Sequence, residues 1–278
     1  MNFFERMIEF LRFEMEKPEP YGIFHIISLL IIIALVFVIA GTKKNASDHG
    51  LRLVLGTYGF VSLILEIIKQ LLFSTELDAA TGNMIWDYQW YAFPFQFCST
   101  PMYAACIACF MKDCKVRRAL ISYMSFFTIL GSFMVMMIPT TIFTETTLIN
   151  IHTTFLHAGG LVVSMFLIIH GHVKLDFKTV LSGLIVYAIC VILANTLNVV
   201  VYESGILNGE SFDMFFLSPY FENDMPVFST IEDYVHPILY IGIYIFAFLL
   251  GASIVYSISK GIAALSSKVR HLIYSHAN

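Results

Sequence analysis

Cys98, His157, Asn195 and Asn198 are the side-chain types that nucleophilic acyl chemistry uses: a thiol, a base and two amide donors. A thiolate attacks an ester carbonyl, an imidazole takes the thiol proton, and amide N–H groups receive the oxyanion. Each residue also has a duller use. A buried cysteine is more often a small inert hydrophobe, and an intramembrane histidine often only pairs with a neighbour. Gln96, Thr100, Glu66, Lys69 and His236 add polar groups that could bind a substrate. Glu66 and Lys69 are three residues apart on one helix face, so a structural ion pair is the favoured reading. The alternative sets Lys69 against a lipid phosphate and lets Glu66 tune His157.

These groups sit in a chain of 278 residues, 58 % hydrophobic and 13 % charged. Soluble domains carry roughly 25 % charged residues. The chain therefore reads as an all-α, polytopic integral membrane protein, of the plasma membrane if bacterial. A net charge of −4 offers no basic field to a nucleic acid. No cleavable signal is read, because mixed, acidic residues precede a long first apolar stretch. Runs of about twenty apolar residues mark seven expected transmembrane helices. They fall at 22–41, 51–73, 91–111, 117–139, 150–170, 177–201 and 233–257.

Charge sets the expected orientation. Lys43, Lys44 and Arg52 flank the first connection, Lys112, Lys115, Arg117 and Arg118 the third, and Lys174 and Lys178 the fifth. The second, fourth and sixth connections contain no Lys or Arg and do carry acids, among them Glu76, Glu145, Glu210 and Asp224. By the positive-inside rule the N-terminus is outside and the C-terminus in the cytoplasm. Arg6, Arg12 and Lys17 in the tail argue the other way, but three loops against three are the stronger signal. The expected organisation is an amphipathic tail over 1–20, a transmembrane domain over 21–258 and a cytoplasmic tail over 259–278. Phe4, Met7, Ile8, Leu11 and Met15 recur at helical spacing in the first of these. That face would lie in lipid, or cap the outer helix ends.

Depth along the helices groups the polar residues. At about 1.5 Å per residue, Cys98 and His157 both fall roughly 10 Å below the outer boundary. Glu66 falls at a similar depth, with Lys69 about 5 Å shallower. Asn195 and Asn198 lie near the outer end of the sixth helix, and Gln96, His152 and His236 nearer the surface. A polar layer from five helices is expected to line a cavity open to the outside. Pro101 would free the Phe97 carbonyl inside the third helix, beside Cys98. The long aromatic connection at 202–232 could act as a flap over that cavity.

Other motifs carry less. Cys106 and Cys109 form a C-x-x-C in mid-membrane, where redox chemistry lacks its exposed helix start. His170 and His172 point to different sides of a helix, against a metal site there. Cys114, beside Lys112 and Lys115, could be lipidated. No metal and no cofactor are expected.

The patches "FPFQFCSTPMY", "HTTFLHAGG" and "LANTLNVVVY" resemble the YwaF-like integral membrane family, across most of the chain. A eukaryotic relative in that resemblance is the transmembrane ether-phospholipid acyltransferase, which moves fatty acyl groups between phospholipids with a membrane cysteine. The family also looks related to membrane hydrolases of fatty-acid esters that use a threonine and a histidine. The resemblance implies that His157 is the functional histidine and Asn195 the polar position of the sixth helix. In the acyltransferase the cysteine directly follows a proline; here Phe95 and Gln96 follow Pro94, and the cysteine comes later, at 98. Ser99 and Thr100 therefore remain candidate nucleophiles beside it. The leading expectation is a lipid acyltransferase or hydrolase acting on phospholipid or fatty-acyl esters through Cys98 and His157, with membrane phospholipids as partners. The competing expectation is a non-enzymatic transporter or receptor that binds a small ligand in the polar layer.

Overall fold

A chain of about twenty consecutive apolar residues in lipid can satisfy its backbone as an α-helix. The protein is seen in a computed structural model that describes every residue except 1, 43–46, 79–80, 82, 140–141, 224, 226 and 276–278. Lys43, Lys44 and Asp224, which enter the loop-charge argument, lie outside the described residues. Among the described residues there are nine α-helices. They are α1 (Phe3–Leu11), α2 (Ile23–Gly41), α3 (Asp48–Phe73), α4 (Thr100–Phe110), α5 (Lys115–Phe126), α6 (Thr128–Met137), α7 (Thr147–Ile169), α8 (Phe177–Glu203) and α9 (Pro237–Ser275). One small hairpin pairs β1 (Thr75–Leu77) antiparallel with β2 (Met84–Trp86).

Among the described residues six segments are long and apolar enough to cross a membrane: α2, α3, α5 joined to α6, α7, α8 and α9. The chain is thus a helical multi-pass membrane protein. The third expected helix differs from its sequence reading. Residues 93–99 are irregular, and α4 begins only at Thr100. Pro101 accordingly lies in the first turn of α4, where a helix needs no N–H from it. The Phe97 carbonyl, expected to be free, accepts a hydrogen bond from the Thr100 hydroxyl at 2.9 Å. At the other end, Arg117 donates to the carbonyl of Ala108 at 3.0 Å, and Arg52 to those of Cys109 and Met111, each at 2.7 Å. These guanidinium groups satisfy carbonyls that a short helix leaves open and oppose its negative end.

α9 has 39 residues, about 58 Å of helix, well beyond a hydrocarbon core of about 30 Å. It runs on past the expected end at 257. The tail helix α1 starts with a capping box between Asn2 and Glu5. Ile8 is fully buried against Leu72 and Ile149, with Met7 and Leu11 packed beside it. Arg12 ties the tail to the end of α3 through the Leu72 carbonyl and the Thr75 hydroxyl, both at 2.9 Å. Much of the amphipathic face is therefore turned to protein, while Phe3 and Phe10 stay exposed.

The connection between α8 and α9 enters the bundle instead of covering it. Phe212, Met214 and Phe215 have no exposed surface. Phe215 packs on Phe97 and Phe95 from the irregular stretch and on Tyr187 of α8. Phe215 and Phe216 both have positive φ, 62° and 57°, a costly conformation for bulky side chains. Such strain persists only where surrounding contacts over-determine it. Here the contacts come from two amides described next.

Candidate functional site

Glu66 lies eighteen residues into α3, about 27 Å along the helix axis. It is buried, as a carboxylate at that depth can be only when its oxygens are paired. One oxygen meets the Lys69 ammonium at 2.6 Å and accepts from the Gln70 amide at 2.9 Å. The other meets Nε2 of His152, from α7, at 2.8 Å. Lys69 and Gln70 also donate to the Ala92 carbonyl, at 3.0 and 2.6 Å, which ties the network to the turn before the irregular stretch. Nδ1 of His152 and Oε1 of Gln70 are buried with no hydrogen-bond partner among the described residues.

Cys98 is two residues before α4, so its thiol stands at the partly positive start of that helix. The backbone N–H groups of Cys98 and Ser99 face the sulfur, and Glu66, Lys69 and Tyr58 lie within electrostatic reach of it. The irregular backbone and the broken helix put the thiol at a helix start instead of in mid-helix. Burial and the Glu66 carboxylate oppose charge on the sulfur, whereas Lys69, the two N–H groups and the helix start favour it. His157 is buried on α7 one turn and a half inward of His152, and the two rings interact electrostatically. No hydrogen bond joins His157 to Cys98 among the described residues. Carboxylate Glu66 meets His152, so the expected tuning of His157 by Glu66 is corrected. Depth read from the sequence set Glu66 level with His157 and His152 nearer the surface, and side-chain direction was not legible, so this partner was missed.

The remaining candidates divide among other tasks. Asn198 donates to the Met214 carbonyl at 3.0 Å and accepts from the Met214 N–H at 2.7 Å. Gln96 donates to the Asp213 carbonyl at 2.7 Å and accepts from the Phe215 N–H at 2.9 Å. These two amides hold the strained 213–216 segment inside the bundle. Each amide uses one N–H and its oxygen on this segment, so Asn198 and Gln96 both have a structural role beside the oxyanion-donor and substrate-contact roles expected of them. Replacing Asn198 with Leu should leave a buried N–H and a buried C=O unpaired and destabilise the protein by about 2 kcal/mol. Thermal unfolding in detergent checks this, with increased proteolysis between 204 and 236 as the accompanying sign.

Asn195 lines a cavity of about 540 Å³ between α8, the start of α9 and the 217–222 segment, with Tyr220, Tyr240 and Glu232. Thr100 is buried and bonded to Tyr123 at 2.6 Å as well as to Phe97. Ser99 donates to the Gln96 carbonyl at 2.9 Å. Both hydroxyls thus serve the start of α4. His236 is exposed at the entry to α9, where its Nδ1 accepts from the Ile238 N–H at 3.3 Å. In the C-x-x-C, the Cys109 thiol donates to the Cys106 carbonyl at 3.1 Å, and both thiols are free. Among the described residues no group of three or more His, Cys, Asp or Glu is arranged to hold a metal ion.

A family model described as the TMEM164 family matches residues 20–255, from just before α2 into α9. The chain belongs to the TMEM164 family. Neither a curated protein nor a solved structure matches it. The TMEM164 match takes in every element of the polar site: Glu66, Lys69 and Gln70 on α3, the irregular stretch with Cys98, and both histidines of α7. The tail helix α1 and the last part of α9 lie outside it.

Proposed function

We propose that this TMEM164-family protein transfers or hydrolyses acyl groups of membrane lipids, with Cys98 as nucleophile. The observation that carries the reading is a thiol at the start of a broken helix, within electrostatic reach of a buried Lys69–Glu66–His152 chain. The resemblance of "FPFQFCSTPMY" and "HTTFLHAGG" to the YwaF-like family and its ether-phospholipid acyltransferase relative supports it. Cys98 gives its proton to a histidine nitrogen as the sulfur attacks the ester carbonyl carbon. The Lys69 ammonium faces the oxyanion that forms. Collapse breaks the bond to the glycerol oxygen, which takes the proton back from the histidine and leaves as a lysolipid. A second lysolipid hydroxyl, or water, then attacks the thioester. Its proton passes through the histidine to the Cys98 sulfur, giving a new ester or a fatty acid. His157 is the histidine that the resemblance implies, and His152 is the one oriented by a carboxylate, a pairing that keeps a histidine base aligned. Phospholipid acyl-chain profiles of cells producing wild type, Cys98→Ala, His152→Ala or His157→Ala test the scheme and separate the two bases.

One observation favours the non-enzymatic alternative: neither histidine is hydrogen-bonded to Cys98 among the described residues. Under that reading the charged network binds a small ligand, and all four proteins give the same lipid profile.

The same reading has seven crossings, the third made by the irregular stretch and α4 together, with the N-terminus outside and the polar site in the outer half. Asn208 and Lys112 are both exposed, in loops of opposite charge character. In a cysteine-free background, Asn208→Cys should react with an impermeant thiol reagent on intact cells and Lys112→Cys only after lysis. The reverse pattern inverts the topology.

A further inference from the structure

A groove of about 690 Å³ runs between α2, α3 and α7. Ile27 and Ile31 form one wall, Leu53 the other, and Phe155 and Val162 stand along the α7 side. Ala158 and Gly159 are the smallest residues of α7 that line it, and they leave room that larger side chains would fill. Ser28 borders it, but its hydroxyl returns to the Phe24 carbonyl at 2.9 Å and offers nothing to an occupant. All three helices are spanning segments, so the medium against this groove is lipid hydrocarbon. Along α7 it extends from Ile151 to Val163, about 18 Å. One leaflet contributes about half of a 30 Å core, so the groove matches one acyl chain in length.

Tyr58 connects this groove to the polar site. Its ring belongs to the groove wall, stacks on Phe155 at 6.3 Å and lies so close to α7 that a Cβ on Gly159 would be 3.1 Å from it. Its hydroxyl donates to the carbonyl of Leu156, the residue before His157, at 3.2 Å. The same side chain is within electrostatic reach of Cys98. The inner wall of the groove is therefore the outer wall of the site. We propose that the groove holds one fatty acyl chain of the phospholipid whose ester reaches Cys98, an inference that rests on the acyl-transfer reading. Moving a chain from lipid tails into this groove gains no hydrophobic energy. Selection comes from fit, and the small residues of α7 set that fit.

The test uses full-length protein in phosphatidylcholine vesicles carrying a trace of phosphatidylcholine with a diazirine in mid-chain. Photolabelling should concentrate several-fold on groove positions of α2, α3 and α7 over Ile185 and Ile189, which are exposed on α8. Ala158→Phe should cut that labelling several-fold and slow turnover of long-chain more than short-chain lipids. Thr154→Phe fills the groove from another position should the first variant fold poorly. Cys98→Ala should keep the labelling and lose the turnover. Labelling spread evenly over α8 and the groove overturns the inference, and leaves acyl transfer standing if turnover still needs Cys98. Groove labelling without any Cys98-dependent turnover supports the acyl site and overturns the acyl-transfer reading instead.

Discussion

Cys98→Ala should lower acyl turnover by about 10³-fold or more, since removing a nucleophile removes the covalent route altogether. The substitution takes away one sulfur atom and leaves the irregular backbone and α4 in place, so thermal unfolding should move little. Cys98→Ser should be nearly as inactive, because a hydroxyl is a far weaker nucleophile than a thiol under the same base. Whichever histidine is the base should cost about 10² to 10⁴-fold when changed to Ala. The other should cost little in turnover. His152→Ala has a second signature, since it strips a partner from Glu66 and should destabilise the protein as well. Full turnover in Cys98→Ala would end the cysteine mechanism. Thr100 and Ser99 are poor heirs to it, as both hydroxyls are already bonded at the start of α4.

Glu66→Ala should destabilise the protein by about 3 to 5 kcal/mol, the usual cost of leaving a buried charge without its partner. Lys69 would keep only the Ala92 carbonyl, and His152 and Gln70 would each lose an acceptor. Lys69→Ala should cost less, because two of the three groups around the carboxylate remain. The double change should recover part of the combined loss, as two charges vanish together. Full recovery is not expected, because the His152 and Gln70 bonds stay broken. A double-mutant cycle on thermal or denaturant unfolding measures the coupling. A double variant that loses the plain sum of the singles would mean that the ion pair carries no coupling energy. An unfolding midpoint unmoved by Glu66→Ala would contradict the burial of the network itself.

Composition and run length by themselves determined that this is a helical multi-pass membrane protein, because hydrocarbon offers the backbone no hydrogen bonds and each spanning segment must supply its own. The bounds of α2, α3, α7 and α8 were legible to within a few residues for the same reason. The pairing of Glu66 with Lys69 was legible too, since i and i+3 share a helix face. What the sequence could not carry was direction around each helix and the path of chain between helices. His152 reaches Glu66 and His157 does not, a choice made by how α7 is rotated against α3. Residues 93–99 leave the helix between Pro94 and Pro101, and Gln96 in that stretch binds the backbone of Asp213 and Phe215, which Asn198 helps hold inside the bundle through Met214. Contacts from Gln96 to residues more than a hundred positions away, together with the local bonds of Ser99 and Thr100, decided that Cys98 stands at a helix start rather than in mid-helix.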